Sequence, residues 1–219
     1  MKQNGYYSYT YEDVEIRLSR AEQFYELVLN DVNTIGGYTK KRDIRESDVV
    51  IDAGAYPGEF TIYAAKKAEK VLALEPDPEN AEKLRQNLDL NNVENVDVLE
   101  KGLWDEDGQV SFLERQEGST IKEGGSTEIS TTTLDVIQEK RGEEIDFIKM
   151  DIEGAEIEAL EGGREVMKET EPFFAIASYH EVDGKPTWRK LEEIFRESGY
   201  EAKTGHPEHK MTWGWKGDL

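Results

Sequence analysis

The run from Val49 to Phe60, V-V-I-D-A-G-A-Y-P-G-E-F, constrains this chain more than any other stretch. Apolar β-branched residues that end in a glycine-containing loop and lead into a helical period predict a buried strand, a tight turn and a helix start. Val49, Val50 and Ile51 form the predicted strand. Gly54 and Gly58 permit close backbone approach, and Pro57 suits the first turn of a helix running to about Ala68. The loop offers bare backbone N–H groups at a helix N-terminus, where an anionic group is stabilised.

The spacing narrows the ligand. A dinucleotide fingerprint needs G-x-G-x-x-G, whereas this loop reads D-x-G-x-x-x-G with Asp52 at the strand end, where a pyrophosphate would be repelled. No Gly-Lys-Ser/Thr follows, so a Walker loop is excluded. A zwitterion fits, with its ammonium near Asp52 and its carboxylate at the helix N-terminus. The methionine part of S-adenosylmethionine is such a group. The next strand, Lys70 to Leu74, ends in Glu75-Pro76-Asp77-Pro78, about 20 residues past the glycines, where an acid meets ribose hydroxyls in Rossmann-like folds. Pro78 then opens a helix carrying Glu79 to Leu90. Asp52, Gly54, Tyr56, Gly58, Glu75 and Pro76 are therefore the expected cofactor-binding residues of this half.

Residues 1–47 read as a strand and helix cap over the pocket. Val14 to Leu18 alternates as a half-buried strand, Ser19 is a candidate N-cap for a helix from Arg20 to about Asn33, and Gly36-Gly37 is expected to end it. Residues 48–219 read as the main domain. Its third strand, Val96 to Leu99, leads to Gly102, Leu103 and Trp104, expected around an adenine ring, with Glu100 or Asp105 accepting its amino hydrogens. Asp105 to Gly108 is a hairpin-turn signal, and Gln109 to Leu113 with Glu128 to Thr133 predicts a strand pair inserted at about 109–133. A short helix over Leu134 to Glu139 follows.

Ile145 to Met150 predicts the fourth core strand, ending in Asp151-Ile152-Glu153-Gly154-Ala155-Glu156. Phe173 to Ala177 predicts a fifth, ending in Ser178-Tyr179-His180-Glu181. Both strand ends fall on the edge of an open α/β sheet where ligands bind. His180 is a candidate general base, with Asp151 as the alternative. Asp151, Glu153 and His180 also form a candidate Mg²⁺ or Mn²⁺ set. Trp188 to Ser198 predicts a helix, Tyr200 to Trp215 a closing strand or hairpin, and His206 with His209 reads as a solvated loop.

Composition removes other chemistries. The chain has no cysteine, hence no thiolate metal site and no cysteine nucleophile. A net charge of −21 disfavours nucleic acid as a partner. The polar first residues and the lack of a membrane-length apolar run predict a cytoplasmic protein.

With V-V-I-D-A-G-A-Y-P-G-E-F, A-L-E-P-D-P, T-T-T-L-D-V-I, I-D-F-I-K-M-D-I-E-G-A-E, L-E-G-G and A-I-A-S-Y-H in order from about Asp48 to His180, the chain resembles the FkbM-like family of class I S-adenosylmethionine-dependent methyltransferases. The resemblance implies a mostly parallel Rossmann-like sheet with an antiparallel edge strand and helices on both faces. It implies transfer of the cofactor methyl to an oxygen, often a sugar or natural-product hydroxyl. It also carries cofactor contacts onto Asp52, Gly54, Gly58 and Glu75, and the fourth-strand acids onto Asp151 and Glu153. A small-molecule or glycan acceptor is the expected partner. The alternatives are a non-catalytic cofactor-binding regulator and a methyltransferase acting on RNA or protein.

Overall fold

The computed structural model describes residues 2–3, 6–19, 34–113, 120–121, 127–182, 184–205 and 210–219. The helix expected over Arg20 to Asn33, and His206 with His209, lie outside the described residues. The chain opens with a three-stranded antiparallel sheet of β1 (Lys2–Gln3), β2 (Tyr6–Tyr11) and β3 (Val14–Leu18). On β3 the expected alternation holds: Val14, Ile16 and Leu18 are buried and Glu15 and Arg17 only partly so. Helix α1 (Thr34–Thr39) contains Gly36 and Gly37 rather than ending at them. Packing explains them, since a Cβ on Gly36 would lie 2.7 Å from the Tyr11 hydroxyl.

The central sheet is built from β4 (Val49–Ala53), β5 (Lys70–Leu74) and β6 (Val96–Leu99), with α2 (Glu59–Ala65) and α3 (Pro78–Leu90) as crossovers. Helix α2 starts two residues beyond Pro57 and stops three short of Ala68, with Gly58 as its cap in the left-handed region. Asp77 caps α3 by accepting from the Asn80 N–H at 2.8 Å, and Pro78 takes the first helical position as expected.

A second, four-stranded sheet follows: β7 (Gly102–Leu103), β8 (Gly108–Leu113), β9 (Thr120–Ile121) and β10 (Thr127–Thr132), ordered β7-β10-β8-β9. The predicted pair, β8 with β10, is antiparallel. The Asp105 to Gly108 turn is not a hairpin, because β7 and β8 lie on opposite sides of β10, the first parallel to it and the second antiparallel.

After α4 (Leu134–Arg141) the chain returns through β11 (Phe147–Met150), the short helices α5 (Glu156–Glu161) and α6 (Arg164–Glu169), and β12 (Phe173–Ala177). A small ribbon of β13 (Glu181–Val182) and β14 (Lys185–Pro186) precedes α7 (Trp188–Glu197), β15 (Glu201–Gly205) and β16 (Met211–Trp215). The central sheet runs β15-β16-β12-β11-β4-β5-β6, and every pairing from β12 to β6 is parallel. Its antiparallel edge is a hairpin of two strands, β16 against β12 and β15 outermost. Helices on both faces bury β4, β5, β11 and β12, so these read as near-continuous apolar runs, broken inside by Asp52 and Lys149, rather than as alternation. Val50, Val71 and Phe147 enter one core with Ile16, Leu18 and Phe60, while Ile51, Leu72 and Ile148 enter the other with Leu160 and Phe195.

The N-terminal sheet is bolted to this unit by two side chains about one turn apart, Asn87 on α3 and Asn91 at its C-cap. Asn87 Oδ1 accepts from the Ser19 N–H at 2.9 Å while its Nδ2 donates to the Pro57 carbonyl at 2.8 Å. Asn91 Oδ1 accepts from the Arg17 N–H at 2.9 Å, and its Nδ2 donates to the Arg17 carbonyl at 2.8 Å. Both are buried, and removing either would strand backbone groups at about 1–3 kcal/mol each.

Candidate active site

The strand order reverses between β4 and β11, and ligands of open α/β sheets bind in the crevice beyond the carboxyl ends of such strands. The Gly54 loop and Asp151 meet at that crevice. Gly54 and Ala55 donate to the Leu74 carbonyl at 3.0 and 3.1 Å, and Asp151 donates from its backbone to the Ala53 carbonyl at 3.1 Å.

The glycines serve this junction. A Cβ on Gly54, whose φ is +72°, would sit 1.9 Å from the Asp151 carbonyl oxygen, and one on Gly58 would sit 2.7 Å from Leu84 Cδ1. They are needed for chain-on-chain contact, whatever ligand lies above.

Asp52 is not the open counter-ion that the sequence suggests. Its side chain is 1% exposed, Oδ1 lies 2.9 Å from Lys149 Nζ, and Oδ2 accepts from the Thr61 hydroxyl at 2.5 Å. Lys149 also donates to the Gly54 carbonyl at 2.6 Å. Burial alone would push this ammonium down, but the carboxylates of Asp52, Asp151 and Glu59 outweigh it and hold its pKa above the ordinary value. Sequence reasoning passed over Lys149, although a lysine inside a fully buried strand must find a partner there.

Glu59, the first residue of α2, was also missed; its own backbone N–H donates to its carboxylate. Its Oε2 is buried with no hydrogen-bond partner. Burial raises its pKa to about 7, with Lys149 pulling the other way and Asp52 and Asp151 adding to the rise. Glu75 at the end of β5 is also buried, and its pKa is raised by that burial. Its Oε2 accepts from the Tyr56 N–H at 3.3 Å and its Oε1 from the Asp77 N–H at 3.1 Å, leaving each oxygen with capacity for another donor. Tyr56 and Pro76 are half-buried beside it, and Gly102 approaches Pro76, since a Cβ there would lie 3.9 Å from the proline ring.

Leu103 departs from the expected adenine contact: it is 1% exposed and points into the core with Leu72 and Leu74. Trp104 remains half-buried at this edge, its N–H donating to the Thr132 carbonyl at 3.0 Å. Glu100 pairs with Arg85 at 2.8 Å, and Asp105 is exposed.

Across the crevice, β11 and β12 bring Asp151, Glu153 and His180 together. One oxygen from each acid and one ring nitrogen all lie within 4.8 Å of one another. Asp151 accepts from the Tyr38 hydroxyl at 3.0 Å and from the Tyr179 hydroxyl at 3.2 Å. His180 does not sit as an open base. Its side chain is 9% exposed, with Nε2 3.5 Å from Glu153 and 3.7 Å from Asp151, and Nδ1 2.9 Å from Glu156. Burial works against a charged ring, but Glu156 first and then Asp151 and Glu153 outweigh it and push the pKa up to about 8. Neither nitrogen is thus free to meet an acceptor hydroxyl. Glu156 is fully buried, and its Oε1 accepts from the Ile152 and Gly154 N–H groups at 3.3 and 3.1 Å, which folds the 151–156 loop around the histidine.

Comparison with known proteins identifies the family and the fold. A family model described as Methyltransferase FkbM domain matches residues 52–202. An uncharacterized protein of Methanocaldococcus jannaschii is 33% identical over 89 residues, covering 40% of this chain and 34% of the relative, so the chain spans about a third of that relative's length. The crystal structure of Methyltransferase FkbM from Methylobacillus flagellatus superposes with a TM-score of 0.59 at 23% identity, over 81% of this chain and 46% of the other. A putative methyltransferase from Streptococcus mutans, solved in complex with S-adenosylhomocysteine, gives 0.51 at 13% identity over 84% and 96% of the two chains. At these identities the structures establish the fold.

Proposed function

The chain belongs to the Methyltransferase FkbM domain family, and on that premise we propose that it transfers a methyl group from S-adenosylmethionine to the hydroxyl of a small acceptor such as a sugar or glycan. The observation that carries this reading is the strand-order reversal, with an acid whose Oε2 lacks a hydrogen bond at the start of α2 on one side and Asp151 on the other.

The residues fit the cofactor. Glu59, whose Oε2 is buried without a hydrogen bond, suits the methionine ammonium in place of Asp52, and Glu75 has an acceptor site left on each oxygen for the two ribose hydroxyls. Pro76, Gly102 and Trp104 are the side for the adenine. When bound, S-adenosylmethionine supplies an electrophilic methyl on a sulfonium whose leaving group is a neutral thioether.

The protein's task is alignment and removal of the acceptor proton. Asp151 is the assigned base, because it is a quarter exposed at the strand end while His180 is enclosed by carboxylates. Tyr38 and Tyr179 fix the Asp151 carboxylate from two sides. Asp151 would take the hydroxyl proton as the acceptor oxygen meets the methyl that the bound cofactor would supply.

A thermal shift with S-adenosylhomocysteine, and none with NAD, tests the cofactor half. Labelled S-adenosylmethionine incubated with cell-envelope saccharides, and in parallel with total RNA and protein, tests the acceptor. Label confined to RNA or protein would overturn the hydroxylated small acceptor, and cofactor binding without any transfer would favour a regulator.

A further inference from the structure

We propose that Asp151, Glu153 and His180 bind one divalent transition-metal ion, Mn²⁺ or Zn²⁺, and that Glu156 orients the imidazole toward it. The ligand atoms are assembled: Nε2 of His180 faces Glu153 Oε2 at 3.5 Å and Asp151 Oδ1 at 3.7 Å. Separations a little above those around a bound ion close by small side-chain movements. Nε2 is buried and makes no hydrogen bond, although the side chain is more than nine-tenths buried, so this nitrogen is aimed into the two carboxylates at separations too long to satisfy it.

The outer partner supports the same reading. Glu156 Oε1 lies 2.9 Å from Nδ1, the arrangement in which a carboxylate fixes a metal-ligating histidine from behind. The same oxygen gathers the Ile152 and Gly154 N–H groups, so one buried carboxylate positions the third ligand and the loop bearing the other two. Glu153 itself sits at φ 56°, in the left-handed region that non-glycine residues rarely adopt. That conformation is stored at the residue whose carboxylate meets the ring.

Charge and ligand type select the ion. Three carboxylates converge on one imidazole, and a divalent cation offsets their mutual repulsion. Two oxygens with an imidazole nitrogen suit Mn²⁺ or Zn²⁺, whereas Mg²⁺ prefers oxygen and water throughout. Binding of the ion does not require the methyl-transfer reading to be correct.

The test uses metal alone, without cofactor. Chelator-stripped protein is titrated with MnCl₂ in moderate salt, followed by calorimetry and by loss of the free-ion electron paramagnetic resonance signal, and with ZnCl₂ and MgCl₂ in separate arms. One saturable site for Mn²⁺ or Zn²⁺ is expected, with Mg²⁺ weaker. Glu153→Gln and His180→Gln should weaken it at least about tenfold, and Glu156→Gln by about 10–100-fold. Glu165→Gln, on an exposed side chain of α6, should change nothing. Glu153 is half exposed, so its variant keeps the test valid if Glu156→Gln does not fold. Several weak sites alike in Glu153→Gln and Glu165→Gln, or no saturable site at all, would overturn the proposal.

Discussion

Lys149 Nζ stands 2.9 Å from Asp52 Oδ1 beneath the crevice, and both side chains are almost fully buried. The strand β4 thus carries its acid inward to a cation on the neighbouring β11. Removing one partner leaves a buried unpaired charge, so Lys149→Met should lower unfolding free energy by about 3–5 kcal/mol. The double variant with Asp52→Asn should recover part of that loss. Urea denaturation measures both, and a single variant as stable as wild type would refute the pairing as a structural element.

Glu59 gives a pH signature. Its folded pKa is about 7 against an ordinary 4.5, so the folded chain holds this proton more tightly than the unfolded chain does. The stability it contributes is complete below about pH 4.5 and is lost as pH rises through 7. Glu59→Gln should therefore melt higher than wild type at about pH 8, with the gap closing by about pH 5. If the ammonium binds here, cofactor binding near pH 6 should also release protons, visible as a buffer-dependent calorimetric heat that the variant lacks.

Glu75→Ala should weaken S-adenosylmethionine binding by about 1.5–3 kcal/mol, the worth of hydrogen bonds to a charged acceptor. Isothermal titration decides the matter, and unchanged affinity removes Glu75 from the ribose.

Asp151→Asn keeps the shape of the side chain while removing its capacity to take a proton. Single-turnover methyl transfer should fall by about 10²–10⁴-fold, with S-adenosylhomocysteine affinity nearly unaltered. A loss confined to cofactor affinity would instead place Asp151 in binding.

The sheet was legible because parallel strands buried on both faces read as near-continuous apolar runs: Val71 to Leu74 and Phe173 to Ala177 are apolar throughout, and Val49 to Ala53 is broken only by Asp52. The start of α3 followed from Pro78 for an equally local reason, whereas its Asp77 cap was found in the structure. Burial partners were less accessible. Nothing near Asp52 in sequence announces a lysine 97 positions later, and the register that sets Lys149 opposite Asp52 appears only once β4 and β11 pair. Gly54 shows the same limit: it reads as space left for a ligand, yet the space is filled by the Asp151 carbonyl. Glu59 was hidden by its place in a first helical turn, where an acid has an ordinary explanation in the helix dipole.

Asn87 and the α3 C-cap Asn91 also order events during synthesis. Strand β3 leaves the ribosome well before Asn87 and Asn91, whose side chains satisfy its Arg17 and Ser19 backbone. Translation proceeds at about 5–20 residues per second, so β3 must wait for seconds with Ile16 and Leu18 lacking their final neighbours. Its docking then also ties down the Pro57 carbonyl through Asn87. One side chain thus serves both the glycine loop and the end of β3, and a chaperone that held β3 would leave Asn87 Oδ1 without the Ser19 N–H.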